Sequence, residues 1–212
     1  MKDKYDNLDE YISDLKAAIE QSGGQCAAHH YQLGLALLSK RDMVGAENEF
    51  RECLRESAHM AEAMVQLGGI CMQRGDLEGC LRYNQDAAAC RPKFAVAESN
   101  IGFCYLQMRD PKKAVAHLDK AVRWDPKFSQ ARNGLAVAYY MEGKLDQSEK
   151  ESRELLKDEP AFAPAWNNLA LVLSDKGQYA EAREAVQKAQ AGGFEVQEGF
   201  LKELEEKLAE AK

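Results

Sequence analysis

The sequence repeats at a fixed interval, and no other feature limits the fold as strongly. Gln32-Leu33-Gly34 recurs as Gln66-Leu67-Gly68, Asn100-Ile101-Gly102, Gly134-Leu135-Ala136 and Asn168-Leu169-Ala170, each step 34 residues with no insertion or deletion. Twelve positions after the Gly34 place comes a small residue in every copy: Ala46, Cys80, Ala114, Ser148 and Ala182. Twenty-four positions after it come Ala58, Pro92, Pro126, Pro160 and Phe194. Turn-forming strings ("RDM", "RGDL", "RDP", "EGKL", "KGQY") fall before the small residues. A period of this length marks an array in which one supersecondary unit buries its apolar face against the next copy.

Each unit reads as helix, tight turn, helix and break. Met64, Leu67, Gly68 and Cys71 follow the i, i+3, i+4, i+7 spacing of one helical stripe. Small residues on that stripe let a second helix approach closely. Asp42, Asp76 and Asp110 stand where an N-cap would accept the first free amides of the second helix, and Pro111 suits its first position. Pro92, Pro126 and Pro160 suit the break. Outside the repeats, Leu8, Tyr11, Ile12, Leu15 and Ile19 predict a leading amphipathic helix that ends at Gly23. Phe200, Leu201, Leu204 and Leu208 predict a last one with a charged outer face. About twelve helices and no strands are expected.

This pattern resembles the tetratricopeptide repeat, a 34-residue helix-turn-helix with characteristic residues at set places. The matching residues are Leu33, Gly34, Ala46 and Phe50 in the first unit. In the third they are Ile101, Gly102, Tyr105, Ala114, Leu118, Ala121 and Pro126, and in the fifth Trp166, Leu169, Ala170, Ala182, Val186 and Ala189. The second and fourth units depart from it, with Asn84 and Ser152 where a large apolar residue is usual. The resemblance implies an all-α fold, a right-handed α-solenoid of antiparallel helices with the first helix of each unit on the concave side. It divides the chain into an N-terminal helix (1–26), five units (27–60, 61–94, 95–128, 129–162 and 163–196) and a C-terminal capping helix (197–212), as one continuous domain.

Composition narrows the function. The formal charge is −7 and no cluster of Lys and Arg forms a phosphate-binding face, so nucleic acid is not an expected partner. No apolar run approaches the roughly 20 residues that span a bilayer. The opening string "MKDKYDNLDEY" lacks the apolar core of a secretory signal. A cytoplasmic location, no membrane partner and free thiols for the six cysteines are the expectation. No nucleophile-elbow or zincin motif occurs, and the carboxylates of "DQSEKESRELLKDE" stand beside Lys and Arg on a solvated face. The expectation is a protein without catalytic residues, cofactor or metal.

Several strings imitate sites. In "VQLGGICMQRGDLEGC", Arg74-Gly75-Asp76 falls in the turn of its unit, so the register makes it a turn and cap rather than an adhesion motif. Gly68-Gly69 follows no strand and opens no phosphate loop. Cys53, Cys71 and Cys80 fall on core positions, where free cysteine acts as a small apolar residue. Cys26 and His30 are spaced i, i+4, but two ligands do not make a zinc site.

The candidate binding residues lie on the helical stripe opposite the packing face, which in the second unit carries Val65, Gln66, Gly69, Met72 and Gln73. Carboxamides recur there: Gln32, Gln66, Asn100 and Asn168 in register, with Asn133 and Asn167 one place earlier. A carboxamide donates and accepts, so it can pair with the backbone of an extended peptide; it can equally bond to a neighbouring repeat or to water. This resembles the asparagine ladder of some tetratricopeptide proteins. Leu35, Met72, Phe103, Leu106 and Tyr140 would add an apolar track beside the amides. Where the family's chaperone-binding members carry a carboxylate clamp, this chain has Tyr31, Leu35, Val96 and Asn100. The sequence therefore points to a non-enzymatic adaptor or scaffold that holds a peptide or helix of a partner protein. Two alternatives stand beside it: a homo-oligomer built by docking the N-terminal helix into a neighbour's groove, and a cysteine-based redox or metal sensor.

Overall fold

The structure is a computed structural model in which residues 7–210 are described. The first six residues of the expected 1–26 segment, and with them most of the string read as lacking a secretory signal, lie outside the described residues, as do the last two residues of the 197–212 segment. Among the described residues there are twelve α-helices and no strand. They are α1 (Leu8–Gln21), α2 (Ala27–Ser39), α3 (Met43–Glu56), α4 (Ala61–Gln73), α5 (Leu77–Cys90) and α6 (Ala95–Gln107). There follow α7 (Pro111–Trp124), α8 (Ser129–Met141), α9 (Leu145–Asp158), α10 (Ala163–Asp175), α11 (Tyr179–Ala191) and α12 (Glu198–Glu210). From α2 to α11 the starts of odd and even helices each advance by 34 residues, so the sequence period is a structural one.

Local chemistry explains the boundaries. Asp42, Asp76 and Asp110 accept hydrogen bonds from the amides of Gly45 (2.9 Å), Gly79 (2.8 Å) and Lys113 (3.2 Å), as their spacing predicts. Each such cap stabilises its helix by about 1 kcal/mol. Lys144 and Gln178, at the same register, give no side-chain cap bond to α9 and α11. The residue before the cap position turns back with positive φ in every hairpin: Arg41 at 62°, Gly75 at 77°, Arg109 at 56°, Gly143 at 73° and Gly177 at 74°. The Arg-Gly-Asp string is thus a left-handed turn followed by a helix cap.

The described residues form two compact units divided between Cys104 and Tyr105, a boundary that falls within α6. In the first unit, Ile12 and Leu15 of α1 seat on Leu33 and Ala36 of α2. Ala46, Phe50 and Cys53 of α3 pack with Ala63, Leu67 and Ile70 of α4. Leu8, expected on the apolar face of α1, is exposed instead; it is the helix's first residue, one place after the Asn7 cap. In the second unit, Leu155 and Leu156 of α9, Leu169 and Leu173 of α10, Val186 of α11 and Leu204 of α12 share one core. Phe200, Leu201 and Leu208 cover its edge, so α12 closes that core as its apolar stripe predicts. Burying each such Leu or Phe contributes about 1.5–3 kcal/mol.

Inside the hairpins, residue size is matched across the helix pair. Ala170 faces the core with Val186. Where the partner at that register is Asn84, the opposing residue is Gly68, and a Cβ there would come within 2.2 Å of the Asn84 amide nitrogen. The departure of the second unit from the usual pattern is therefore accommodated by close approach rather than by a void.

Candidate functional site

All the candidate stripe residues are half-buried on the first helices of their hairpins, and each compact unit carries its own set. In the first unit these are Gln32 and Leu35 on α2, Gln66 and Met72 on α4, and Asn100 and Phe103 on α6. The Tyr11 hydroxyl donates to Gln32 Oε1 at 3.3 Å, which ties the amide of α2 to α1. Gln66 sits beside the Tyr31 hydroxyl; burial raises the pKa of that phenol, and the Gln66 side chain partly offsets it. Asn100 Nδ2 donates to Asn84 Oδ1 at 3.0 Å, and Asn84 Nδ2 donates to the Cys80 carbonyl at 2.8 Å. Val65, part of the same sequence stripe, is instead buried with Met64, Ala87 and Ala97, because α4 is covered from both sides.

In the second unit the set is Leu106 on α6, Asn133 and Tyr140 on α8, and Asn167 and Asn168 on α10. Asn168 Nδ2 donates to Asn133 Oδ1 at 2.8 Å, linking the first helices of successive hairpins. The Tyr140 hydroxyl donates to Asp175 Oδ2 at 2.8 Å. Its pKa is pushed up to about 12, first by burial and then by the Asp175 carboxylate, so it is a neutral donor at any ordinary pH. Asn167 and Leu171 line a small open pocket of about 160 Å³ together with Phe194 and Phe200.

The carboxamides are therefore partly used within the fold. Gln32, Asn100, Asn133 and Asn168 each take part in an intramolecular hydrogen bond. A carboxamide has two donor hydrogens and two acceptor lone pairs, so one such bond leaves most of its capacity for a ligand backbone. The internal bond also fixes the rotamer, which lowers the entropy lost when a ligand is bound. Asn84, the phenols of Tyr11 and Tyr31, and the Phe194–Phe200 edge were not among the residues the stripe picks out. For Asn84 a signal was present: it stands where Phe50, Leu118 and Val186 stand in other units, and a polar residue at an apolar register needs a reason.

The cysteines take the places expected of small apolar residues: Cys53, Cys71, Cys80 and Cys104 are buried, and none is in a disulfide. His30 is hydrogen-bonded through Nδ1 to Glu49 at 2.7 Å and through Nε2 to the Gly24 carbonyl at 3.2 Å, so both its ring nitrogens are engaged away from Cys26. Among the described residues no group of three His, Cys, Asp or Glu side chains is placed to hold a metal ion, and no helix is long and apolar enough to cross a membrane.

With this geometry established, known proteins give a consistent picture. Two family models, both described as tetratricopeptide repeat, match residues 105–151 and 153–184. PilW, described as a widely conserved type IV pilus biogenesis factor, superposes with a TM-score of 0.77 at 20% identity, covering 86% of each chain. A tetratricopeptide repeat protein from Parabacteroides merdae gives 0.74 at 20% identity, over 91% of this chain and 76% of that one. YrrB, described as a tetratricopeptide protein with an unusual peptide-binding site, gives 0.68 at 19% identity, over 84% of this chain and 91% of that one. No curated protein matches the chain in sequence. The family models cover residues 105–184, and the same 34-residue period and hairpins run through residues 27–196, so the chain is built from tetratricopeptide repeats.

Proposed function

We propose that the chain is a non-enzymatic adaptor that binds an extended segment of a partner protein along the first-helix face of its hairpins. Repeat arrays of this kind offer extended surfaces to protein partners. The observation that carries the finer reading is the half-buried stripe itself. Amides recur along it, Gln32, Asn100, Asn133 and Asn168 each held by an internal bond, and they are flanked by Leu35, Phe103, Tyr140 and Leu171. Amides would pair with a ligand's backbone and the apolar residues would take alternate side chains. Within each compact unit, each repeat would contribute one rung. YrrB lends analogy, since its description names a peptide-binding site on the same fold.

Docking of α1 into a neighbouring protomer is not favoured, because α1 already seats Ile12 and Leu15 on its own α2. The test is binding of a peptide selected from a random display library. Phe103→Ala should weaken it at least tenfold where the peptide engages the first compact unit, and Asn167→Ala where it engages the second. A second-helix change such as Arg123→Ala, on the exposed face of α7, should leave it unchanged. Equal affinity for all three variants would remove the first-helix face from the account.

A further inference from the structure

The small position of each second helix shares a register with the residue 24 places later on the next first helix: Ala46 and Ile70, Cys80 and Cys104, Ala114 and Ala138, and Ser148 and Val172. Only in the second is each partner a thiol. The Sγ atoms of Cys80 and Cys104 stand 2.7 Å apart, in a cluster completed by Cys71. The contact lies closer than ordinary packing of two sulfur atoms and within about 0.7 Å of a covalent S–S bond. Cys80 also anchors the polar chain described above: Asn84 Nδ2 donates to its carbonyl at 2.8 Å and approaches its sulfur at 3.5 Å, while Asn84 Oδ1 accepts from Asn100.

We propose that Cys80 and Cys104 are a dithiol pair that closes to a disulfide by exchange with a small-molecule disulfide such as oxidised glutathione, and that closure is transmitted through Asn84 to the Asn100 amide. The chemistry balances without any further reagent. The Cys80 thiolate attacks one sulfur of the small disulfide, forming a mixed disulfide and releasing one small thiol. The Cys104 thiol, losing its proton to solvent, then attacks the Cys80 sulfur and expels the second small thiol. Two protein thiols are oxidised and one small disulfide is reduced to two thiols.

The geometry assigns the roles. Cys80 is the attacking group because it receives the Cys104 S–H and the Asn84 N–H, and these bonds lower its pKa despite burial. Cys104 is the resolving group: the bond it gives and its burial drive its own pKa well up. Cys80 and Cys104 are 1% and 0% exposed, so exchange proceeds through local opening of α5 from α6. Closing the bond pulls the two sulfurs together and moves the α5 turn that carries Asn84, which displaces its link to Asn100. Any effect on a ligand rests on the proposed function above, so the test does not use binding.

The full chain is equilibrated in glutathione buffers of rising oxidised fraction, alkylated, digested and read by mass spectrometry. The expected product is a peptide pair joining Cys80 to Cys104, about 2 Da lighter than the reduced pair. The side-chain amide resonance of Asn100 should shift in the same titration. In Cys104→Ala, glutathione should remain trapped on Cys80, whereas Cys80→Ala should leave Cys104 unmodified. Alanine is the residue that other units hold at these places (Ala46, Ala114, Ala36, Ala138), so both variants should keep the fold. Failure to join the pair when the buffer is fully oxidised, joining of other cysteines in its place, or closure with an unmoved Asn100 resonance would overturn the proposal.

Discussion

Gly34 lies directly beneath the ring of Phe50: a Cβ built on the glycine would stand 2.6 Å from Cε1 and 2.8 Å from Cδ1. Phe50 is fully buried, so its ring has nowhere to retreat. Gly34→Ala should therefore destabilise the protein by about 1–3 kcal/mol through overpacking. The unit that pairs Ala170 with Val186 shows the remedy. Gly34→Ala combined with Phe50→Val should cost less than the sum of the single changes by about 1 kcal/mol or more. Urea unfolding of the four proteins measures this; strict additivity would show that the two residues are not coupled.

The turn position offers a gain. Arg41 and Arg109 hold φ at 62° and 56°, a conformation that costs a side-chain-bearing residue about 1–2 kcal/mol. Glycine occupies the same place in three other hairpins. Arg109→Gly should stabilise by about 0.5–1 kcal/mol once the greater freedom of glycine in the unfolded chain is set against the relief. Gly143→Ala should destabilise by a similar amount. Denaturant midpoints measure each, and a loss of stability in Arg109→Gly would contradict the reading.

How far the fold was legible follows from these positions. The 34-residue step located every hairpin, and Asp caps with Pro111 located three of the second helices, because capping and turn chemistry are local. The size match between Gly34 and Phe50 was only half visible: the small residue could be read, but its partner depends on which helices meet. For the candidate site the stripe was legible and its internal bonds were not. Nothing in the spacing of Asn100 predicts a bond to Asn84, which lies sixteen residues earlier on a neighbouring helix.

That bond separates two amides that look alike in sequence. Asn84 is fully buried, so Asn100→Ala strands its acceptor and should cost about 1–2 kcal/mol. Asn168→Ala leaves Asn133, which is only half-buried and can turn to water, and should cost less than about 0.5 kcal/mol. Thermal unfolding distinguishes them; equal losses would show that the burial of Asn84 does not matter.

Tyr140 gives a pH signature. Its folded pKa is raised from the usual tyrosine value of 10.0 to about 12, chiefly by burial and then by Asp175. Its contribution to stability is therefore complete below pH 10 and is lost as the pH rises towards 12. An ultraviolet titration should show a phenol ionising near the top of that window. The step should be absent in Tyr140→Phe and only partly lowered in Asp175→Asn, because burial remains. An unchanged step in Tyr140→Phe would reassign it.

If ligands meet the first helices as proposed, side-chain amide and methyl resonances should register it during titration with a selected peptide. Shifts are expected at Gln32, Gln66 and Leu35 on one unit, or Asn167, Asn168 and Leu171 on the other, with α3, α5, α7 and α9 silent on their exposed faces. Shifts concentrated on those second helices, with the amide stripe unmoved, would contradict it.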